Sequence, residues 1–462
     1  MLPRPRLDLR RNRSPRSVQR INQRLPVNGS VSPPGTLVLR RGLERLRASA
    51  MLKQSLLVFS ASMVLNVCGF VAHAIASRQL GVTIYGGLYA LLNAAVIAAL
   101  PAAFVAPVVA QLAAEFRALH DDGHLRGLTD GVAGAFAKLA LIYVVAATLG
   151  ALPLARFLHV PVWSIPFVGL VAGASLFVSA LRAVAQGTQD FFGYAISNSV
   201  EGIAKVLGIG LLVAIGLKLG GAIAGFFFGP LAALLYLGSR LRRRYAGAQA
   251  HRVRYDWRRI LNAGAGAAAA TIAVTLMGSA DVVLVKHFFD AHAAGLYAAA
   301  SLGGKILLYL VGFIPTVLLP QAADRHARGA QTREVLAGSL LMFALVACGG
   351  LFVFRFFGTA VLHALVGHAF DAAAPLLVTY GLAMVMLALT NALTYYGIAT
   401  HRLGFTVPLF VCTFGTLGAI AMIHPTLATV VEIMVVGNFA AVLAVALALI
   451  AQRHSTSRRS TV

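Results

Sequence analysis

Six ionisable residues lie inside long apolar stretches of the sequence and are the first candidates for chemistry: Lys138, Glu201, Lys205, Asp281, Lys305 and Glu432. A charge among apolar residues is costly, so such side chains usually face the interior of a helical bundle. Lys305 has no acidic residue within one helical turn. This isolation favours a contact between its ammonium group and an anionic substrate, with snorkelling to the membrane surface or a pair with a residue of another helix as the alternatives.

Glu201 and Lys205 are four residues apart and would share one helical face, with the acid N-terminal to the base. This spacing favours an ion pair, which fits a structural role as well as a binding site. Glu201 and Asp281 are also candidates for coupling transport to Na⁺ or H⁺. Asp281 and Lys286 lie near the end of their apolar stretch, so solvation is an alternative for both.

Three arginines stand at the ends of apolar stretches: Arg78, Arg182 and Arg402. Their position is typical of anchors at the membrane surface, and a substrate contact is the alternative. The three cysteines lie in apolar stretches without CxxC spacing, and neither a GxxxxGK[ST] nor an HExxH motif occurs. The sequence therefore predicts no enzyme activity, no metal site and no cofactor.

The composition indicates an integral membrane protein. Of 462 residues, 59% are hydrophobic and 12% are charged, whereas soluble domains carry about 45–50% apolar and about 25% charged residues. So much apolar surface would be exposed on a soluble protein. In a bilayer the same surface faces hydrocarbon.

Segments of about 20 apolar residues, the length that crosses a bilayer, occur twelve times: 54–76, 84–111, 132–154, 163–182, 192–216, 219–238, 260–284, 294–320, 336–357, 374–397, 403–422 and 428–451. The second span contains Pro101 and Pro107, and the eighth contains Pro315 and Pro320. Prolines kink helices and leave a carbonyl unpaired. These two helices are therefore predicted to line the interior, with a packed structural kink as the alternative.

The distribution of Lys and Arg predicts the orientation. The N-terminal segment, the connections after even-numbered spans and the C-terminal tail hold 31 of the 39, the opposite connections hold 5, and three lie within spans. Positive residues concentrate on the cytoplasmic side, so both termini are predicted to be cytoplasmic in a bacterial inner membrane. Anionic lipids explain the net charge of +24 without nucleic acid as a partner.

The predicted organisation has five parts: a basic arm (1–53), a six-helix lobe (54–238), an Arg-rich linker (239–259), a second six-helix lobe (260–451) and a cytoplasmic tail (452–462). Residues 1–36 have a disorder-prone composition, and residues 37–53 suit a basic interfacial helix. Alternatively, translation begins at Met51.

The two lobes repeat one another. Gly87-Leu-Tyr-Ala90 falls on Gly295-Leu-Tyr-Ala298 at an offset of 208 residues, and the same offset places Pro107 on Pro315. Blocks with an even number of spans enter from the same side, so this is a parallel repeat about an axis along the membrane normal. Two lobes around a central cavity favour transport by alternating access.

Three motifs resemble the polysaccharide exporters and oligosaccharide–lipid flippases of the multidrug/oligosaccharidyl-lipid/polysaccharide (MOP) exporter superfamily. Residues 76–90 read ASRQLGVTIYGGLYA and are similar to the family's first-loop pattern. Residues 181–191, LRAVAQGTQDF, are similar to its turn after the fourth span. Asp281 before apolar residues, then Gly295-Leu-Tyr and Leu319-Pro, resembles the opening of its second half.

The resemblance implies an all-α fold of two lobes that form a V-shaped cavity. It also implies flipping of a polyprenyl-diphosphate-linked oligosaccharide across the cytoplasmic membrane for surface polysaccharide synthesis. Cationic residues would hold the diphosphate, namely Lys305, Lys205, Lys138, Arg78 and Arg182. Aromatic and amide side chains would contact the sugars, among them Tyr395, Tyr396 and Asn391.

Two other functions remain open. A cation-coupled multidrug exporter of the same superfamily would use embedded acids such as Glu201 and Asp281. A membrane accessory of a polysaccharide polymerase would transport nothing. Whether the chain is a flippase or an accessory, a polysaccharide polymerase or glycosyltransferases are its candidate protein partners.

Overall fold

The computed structural model describes residues 34–251, 253, 257–327, 333–400 and 402–459. Within these ranges every regular element is helical. Residues 1–56 and 57–462 form separate compact units. The first unit is helical from Pro34 onward. The predicted disorder over residues 1–36 lies, up to residue 33, outside the described residues.

Thirteen α-helices cover the described chain: α1 (Pro34–Ala98), α2 (Ala102–Ala118), α3 (Asp122–Leu149), α4 (Ala151–Leu158), α5 (Ser164–Gly187), α6 (Phe191–Ala214), α7 (Lys218–Arg244), α8 (Trp257–Phe288), α9 (Ala291–Ala327), α10 (Arg333–Val366), α11 (Ala374–Ala399), α12 (Thr406–Met422) and α13 (Leu427–Arg459). A 3₁₀ helix, His368–Ala373, precedes α11.

A non-helical glycine divides α1 into the first two predicted spans. Gly81 has φ 71° and ψ 174°, a backbone conformation that side chains with a Cβ avoid. The second predicted span, 84–111, is broken again, because α1 ends at Ala98 and α2 begins after Pro101. Pro101 therefore separates two helices instead of kinking one, since it cannot donate the hydrogen bond that would continue α1. Pro107 lies inside α2.

Ten helices of the described chain are long and apolar enough to cross a membrane. The first of them, Leu56–Ala98, contains the break at Gly81 and so provides two crossings. The helix Thr406–Met422 is apolar but shorter than these. The predicted all-α membrane fold is thus confirmed, with ten candidate spans among the described residues.

The two lobes approach closely where α1 crosses α9. A Cβ atom on Gly86 would lie 2.7 Å from the backbone nitrogen of Gly295, and one on Gly295 would overlap the carbonyl oxygen of Val82. Small residues permit this distance between membrane helices. Gly295 begins the second of the two repeated segments, and Gly86 directly precedes the first. The contact is therefore made at the repeat on both sides.

Three further contacts join the lobes at this same end of the helices. Arg78 donates to the carbonyl oxygens of His363 and Ala364, at 3.3 and 2.7 Å. The Ser77 hydroxyl donates to the carbonyl oxygen of Val366 at 3.2 Å. We call the contacts of Ser77, Arg78 and Gly86 with the second lobe the lobe seam.

A Gly86→Val substitution should lower the thermal stability of the detergent-purified protein. The added side chain has no room against Gly295, and overpacking of this kind typically costs about 1–3 kcal/mol. We expect a fall of several degrees in Tm, measured by intrinsic fluorescence. Gly134→Val is the matched control, because nothing lies within 4 Å of a Cβ at that helical position. Equal Tm values for the two variants would contradict the close packing.

Candidate substrate and ion site

A buried carboxylate anchors a hydrogen-bonded network in the second lobe. Asp281 is 1% exposed, and its Oδ2 accepts hydrogen bonds from the hydroxyls of Tyr297 at 2.9 Å and Tyr380 at 2.7 Å. Its Oδ1 is buried without a hydrogen-bond partner among the described residues. Asp281 and Lys286 are both buried and not solvated. The helix α8 continues beyond them to Phe288.

The network crosses from the second lobe to the first. The Ser301 hydroxyl lies 2.8 Å from the hydroxyl of Tyr380 and 3.4 Å from that of Tyr89. Tyr89 belongs to α1, and Ser301 belongs to α9. A shift of one lobe against the other would therefore change these polar contacts.

Lys305 lies beside this crossing point. It is 8% exposed, its Nζ donates to Asn93 Oδ1 at 2.9 Å, and Nζ lies 5.3 Å from the centre of the Tyr89 ring. The described residues place no carboxylate within salt-bridge distance of it. A buried ammonium group is thus held by an amide oxygen and an aromatic face, without a described carboxylate in direct contact.

Three ionisable residues form a second cluster, in the first lobe. The Glu201 carboxylate lies 2.8 Å from Arg182 Nη2 and 3.4 Å from Lys205 Nζ, and Arg182 Nε donates to Ser197 Oγ at 3.1 Å. The pairing of Glu201 with Lys205 on one helical face is as the spacing indicates. Arg182 joins them from α5, where it lies inside the helix instead of at its end.

An aromatic group separates the two clusters. The His73 ring lies 4.9 Å from that of Phe226 and 5.3 Å from that of Tyr89, and its Nδ1 is 3.3 Å from the Tyr85 hydroxyl. Lys205 Nζ lies 5.8 Å from the Phe226 ring. A band of polar and aromatic groups therefore runs from Glu201 to Asp281, and we call it the central polar band.

The other proposed substrate contacts do not join this band. Lys138 is exposed on α3, and Arg78 lies in the lobe seam. Tyr395 and Tyr396 are 42% and 40% exposed, and they stand about 22 Å along α11 from Tyr380 at 1.5 Å per residue.

Asn391, also on α11, is part-buried, and it lies about 16 Å along the same helix from Tyr380. The predicted set thus divides into a central group and several distant residues.

Sequence reasoning missed five members of the band: His73, Tyr89, Tyr297, Ser301 and Tyr380. Tyr89 and Tyr297 are equivalent residues of the two repeated Gly-Leu-Tyr-Ala segments. The repeated segments could therefore have indicated both tyrosines as candidate site residues. The remaining three come together only through the packing of α1, α9 and α11.

One group of possible metal ligands occurs in the described residues, distant in sequence from the band: Asp121, His124 and His251. Asp121 accepts from the His124 backbone N–H at 2.9 Å and lies 2.7 Å from His124 Nδ1. The capping of α3 by Asp121 accounts for this geometry. We assign no metal to it.

Comparison with known proteins places the fold. No protein-family model matches the sequence, and no curated protein is similar to it. Among solved structures, a multidrug resistance MATE family transporter of the MOP superfamily in an inward-facing conformation has a TM-score of 0.67 and 11% identity, over 88% of this chain and 99% of that chain.

Two further structures are similar. A eukaryotic MATE transporter has a TM-score of 0.60 and 13% identity, over 86% of this chain and 95% of that chain. The lipid II flippase MurJ in an inward closed conformation has a TM-score of 0.62 and 13% identity, over 86% of this chain and 87% of that chain. The chain therefore has the two-lobed, all-helical fold of MATE transporters and of MurJ.

Proposed function

We propose that the chain is a transporter that flips a polyprenyl-diphosphate-linked oligosaccharide across the bacterial cytoplasmic membrane. The observation that carries this proposal is Lys305, a buried ammonium group at the junction of the lobes with no described carboxylate partner. A buried charge is costly unless an opposite charge accompanies it. A diphosphate entering between the lobes would supply that charge.

The first lobe supports the same substrate chemistry. Arg182 and Lys205 share one carboxylate, Glu201, which leaves the cluster with a net positive charge. Charge-assisted hydrogen bonds from Arg and Lys to phosphate are strong in a site that excludes water. Lys305 in the second lobe and the Arg182–Lys205 pair in the first would thus each hold one phosphate of the diphosphate, on either side of the His73 ring.

The lobe seam supports alternating access. The distribution of Lys and Arg favours an orientation in which this end of the helices faces the outside, with both termini cytoplasmic. In that orientation the contacts of Arg78, Ser77 and Gly86 close the gap between the lobes on the outer side. Transport would require these bonds to break while the lobes approach at the opposite end.

A cation-coupled multidrug exporter is the second candidate, and Asp281 favours it. Its buried Oδ1 lacks a described hydrogen-bond partner, so an ion such as Na⁺ or H⁺ could bind there. Two of the structures with the same fold are MATE transporters. Lys305 weighs against cationic drugs as cargo, because two cations would repel in a medium of low dielectric constant.

Lys305→Ala should slow flipping at least about tenfold, because a charge-assisted hydrogen bond contributes about 1.5–3 kcal/mol. The measurement uses liposomes that hold a fluorescent undecaprenyl-diphosphate oligosaccharide and follows its exposure to an external quencher. Lys305→Arg should retain part of the activity. Lys138→Ala removes the same charge from an exposed site on α3 and should flip at the wild-type rate.

Three results would decide between the functions. Equal loss in the Lys305 and Lys138 variants would exclude a specific role for Lys305. Wild-type flipping in Lys305→Ala would keep the transport function and discard this site. Exposure no faster than in empty liposomes, with several glycans, would favour drug export or a membrane accessory of a polymerase.

Asp281→Asn should abolish any dependence of transport on an imposed Na⁺ or H⁺ gradient. The amide oxygen still accepts from a tyrosine hydroxyl, but the charge that would bind the cation is lost. Transport by wild type and variant is compared with and without each gradient. Glu432→Gln is the control, because Glu432 is exposed. A gradient response that persists in Asp281→Asn would show that coupling lies elsewhere.

Gradient-driven efflux of ethidium by the wild-type protein, absent in Asp281→Asn, would favour the multidrug exporter. Flipping of the lipid-linked oligosaccharide without ethidium efflux would favour the flippase. The two measurements share one preparation of liposomes, so a failure of reconstitution would affect both.

A further inference from the structure

Four arginines occupy the last two turns of α7, and two of them share one carboxylate. Arg240 forms a bidentate pair with Asp190, at 2.7 Å from Nε to Oδ2 and 2.9 Å from Nη2 to Oδ1. Arg244, four residues later, lies 3.5 Å from the same Oδ2. Burial raises the pKa of Asp190, but the hydrogen bonds from Arg240 and the Gly193 backbone, together with the charges of Arg240 and Arg244, outweigh it and leave that pKa below its usual value. Asp190 is therefore charged, and its carboxylate is paired with Arg240 and Arg244.

Arg242 and Arg243 take no part in the pairing with Asp190. Both are exposed, and neither has a carboxylate within salt-bridge distance among the described residues. They line a cavity of about 450 Å³ together with Arg126 and Thr129. Arg243 also lines a neighbouring cavity of about 640 Å³ beside Tyr236. Both guanidinium groups are thus available to a ligand in the smaller cavity, and that of Arg243 also to a ligand in the larger one.

The opposite wall of the smaller cavity is held in place. Arg126 donates from Nη1 to the carbonyl oxygens of Ala246 and Ala248, at 2.7 and 2.6 Å, and its Nε lies 3.7 Å from Asp130 Oδ2. These bonds fix the segment after α7 against α3. The cavity consequently has one wall fixed by the bonds of Arg126 and one wall of exposed arginines without a carboxylate partner among the described residues.

The charge of this region selects an anion. Five guanidinium groups belong to the two cavities, from Arg126, Arg240, Arg242, Arg243 and Arg244. Asp130 and Asp190 are the acidic partners of three of them. A net charge of about three positive units therefore remains. Arginine suits phosphate in particular, because its planar fork donates two parallel hydrogen bonds to two phosphate oxygens.

The cavities lie at the end of a membrane span. Lys218–Arg244 is one of the helices that can cross the bilayer, and its arginines occupy the final turns. Lipid phosphates lie at this depth on whichever side α7 ends, so they are within reach of these arginines in either orientation of the chain. Juxtamembrane Lys and Arg gain about 1 kcal/mol each near an anionic membrane surface.

We propose that Arg242 and Arg243, with Arg126, form a binding site for a phosphate group at the end of α7. The phosphate belongs to the headgroup of an anionic lipid or to a free diphosphate, and the same guanidinium geometry binds either. The proposal concerns binding alone, so it holds whether or not the chain flips a lipid-linked oligosaccharide.

The test measures lipid binding to the full-length protein in neutral detergent by native mass spectrometry. Dioleoylphosphatidylglycerol is the anionic probe, and dioleoylphosphatidylcholine is the zwitterionic comparison. We expect Arg242→Gln/Arg243→Gln to bind phosphatidylglycerol at least tenfold more weakly than wild type. Arg156→Gln/Arg355→Gln removes the same charge from two other exposed arginines and should bind like wild type.

A second arm uses inorganic pyrophosphate. Displacement of phosphatidylglycerol by millimolar pyrophosphate, lost in Arg242→Gln/Arg243→Gln, would identify the phosphate group as the ligand. Tight binding of pyrophosphate without any preference for phosphatidylglycerol would assign the site to a soluble diphosphate. Equal affinities of both double variants for both probes would overturn the site. Equal Tm values for the variants would confirm that folding is intact.

Discussion

The loss of hydration that a charge suffers in hydrocarbon determines where the ionisable groups of this protein lie. Glu201, Asp281 and Lys305 are all within membrane-crossing helices, and all three face protein rather than lipid. Each has found a different compensation: paired cations for Glu201, tyrosine hydroxyls for Asp281, an amide oxygen and a ring face for Lys305. The last two compensations are incomplete. Asp281 Oδ1 has no described hydrogen-bond partner, and Lys305 has no described carboxylate in direct contact.

The internal repeat explains how the two lobes meet. The crossing of α1 and α9 brings the repeated segments of the two lobes together, with Gly86 and Gly295 where the backbones touch and Tyr89 and Tyr297 two or three residues further on. The equivalent tyrosines then take different partners. Tyr297 donates to Asp281 within the second lobe, whereas Tyr89 meets Ser301 across the junction. Equal sequence segments have thus acquired unequal roles because only one lobe carries the acid.

The membrane-crossing helices could be predicted from the sequence because hydropathy over 20 residues reflects a physical length, the thickness of the bilayer. The Glu201–Lys205 pair could be predicted because both residues lie on one helix. The approach of Arg182 to Glu201, and of His73 to Phe226, depends on how separate helices pack, and no local pattern encodes it. Tyr395 and Tyr396 show the converse error. Their chemistry suits sugars, but chemistry alone gives no position along a helix.

The bonds of Arg78 have an evolutionary consequence. Its guanidinium group donates to the main-chain carbonyls of residues 363 and 364, not to their side chains. Every amino acid provides that acceptor, so these two positions are free to vary as long as α10 keeps its backbone. Arg78 has less freedom, since a replacement must reach the same place and donate twice from one nitrogen, as Arg78 Nη2 does. Relatives of this chain should therefore diverge on one side of the lobe seam and remain constant on the other.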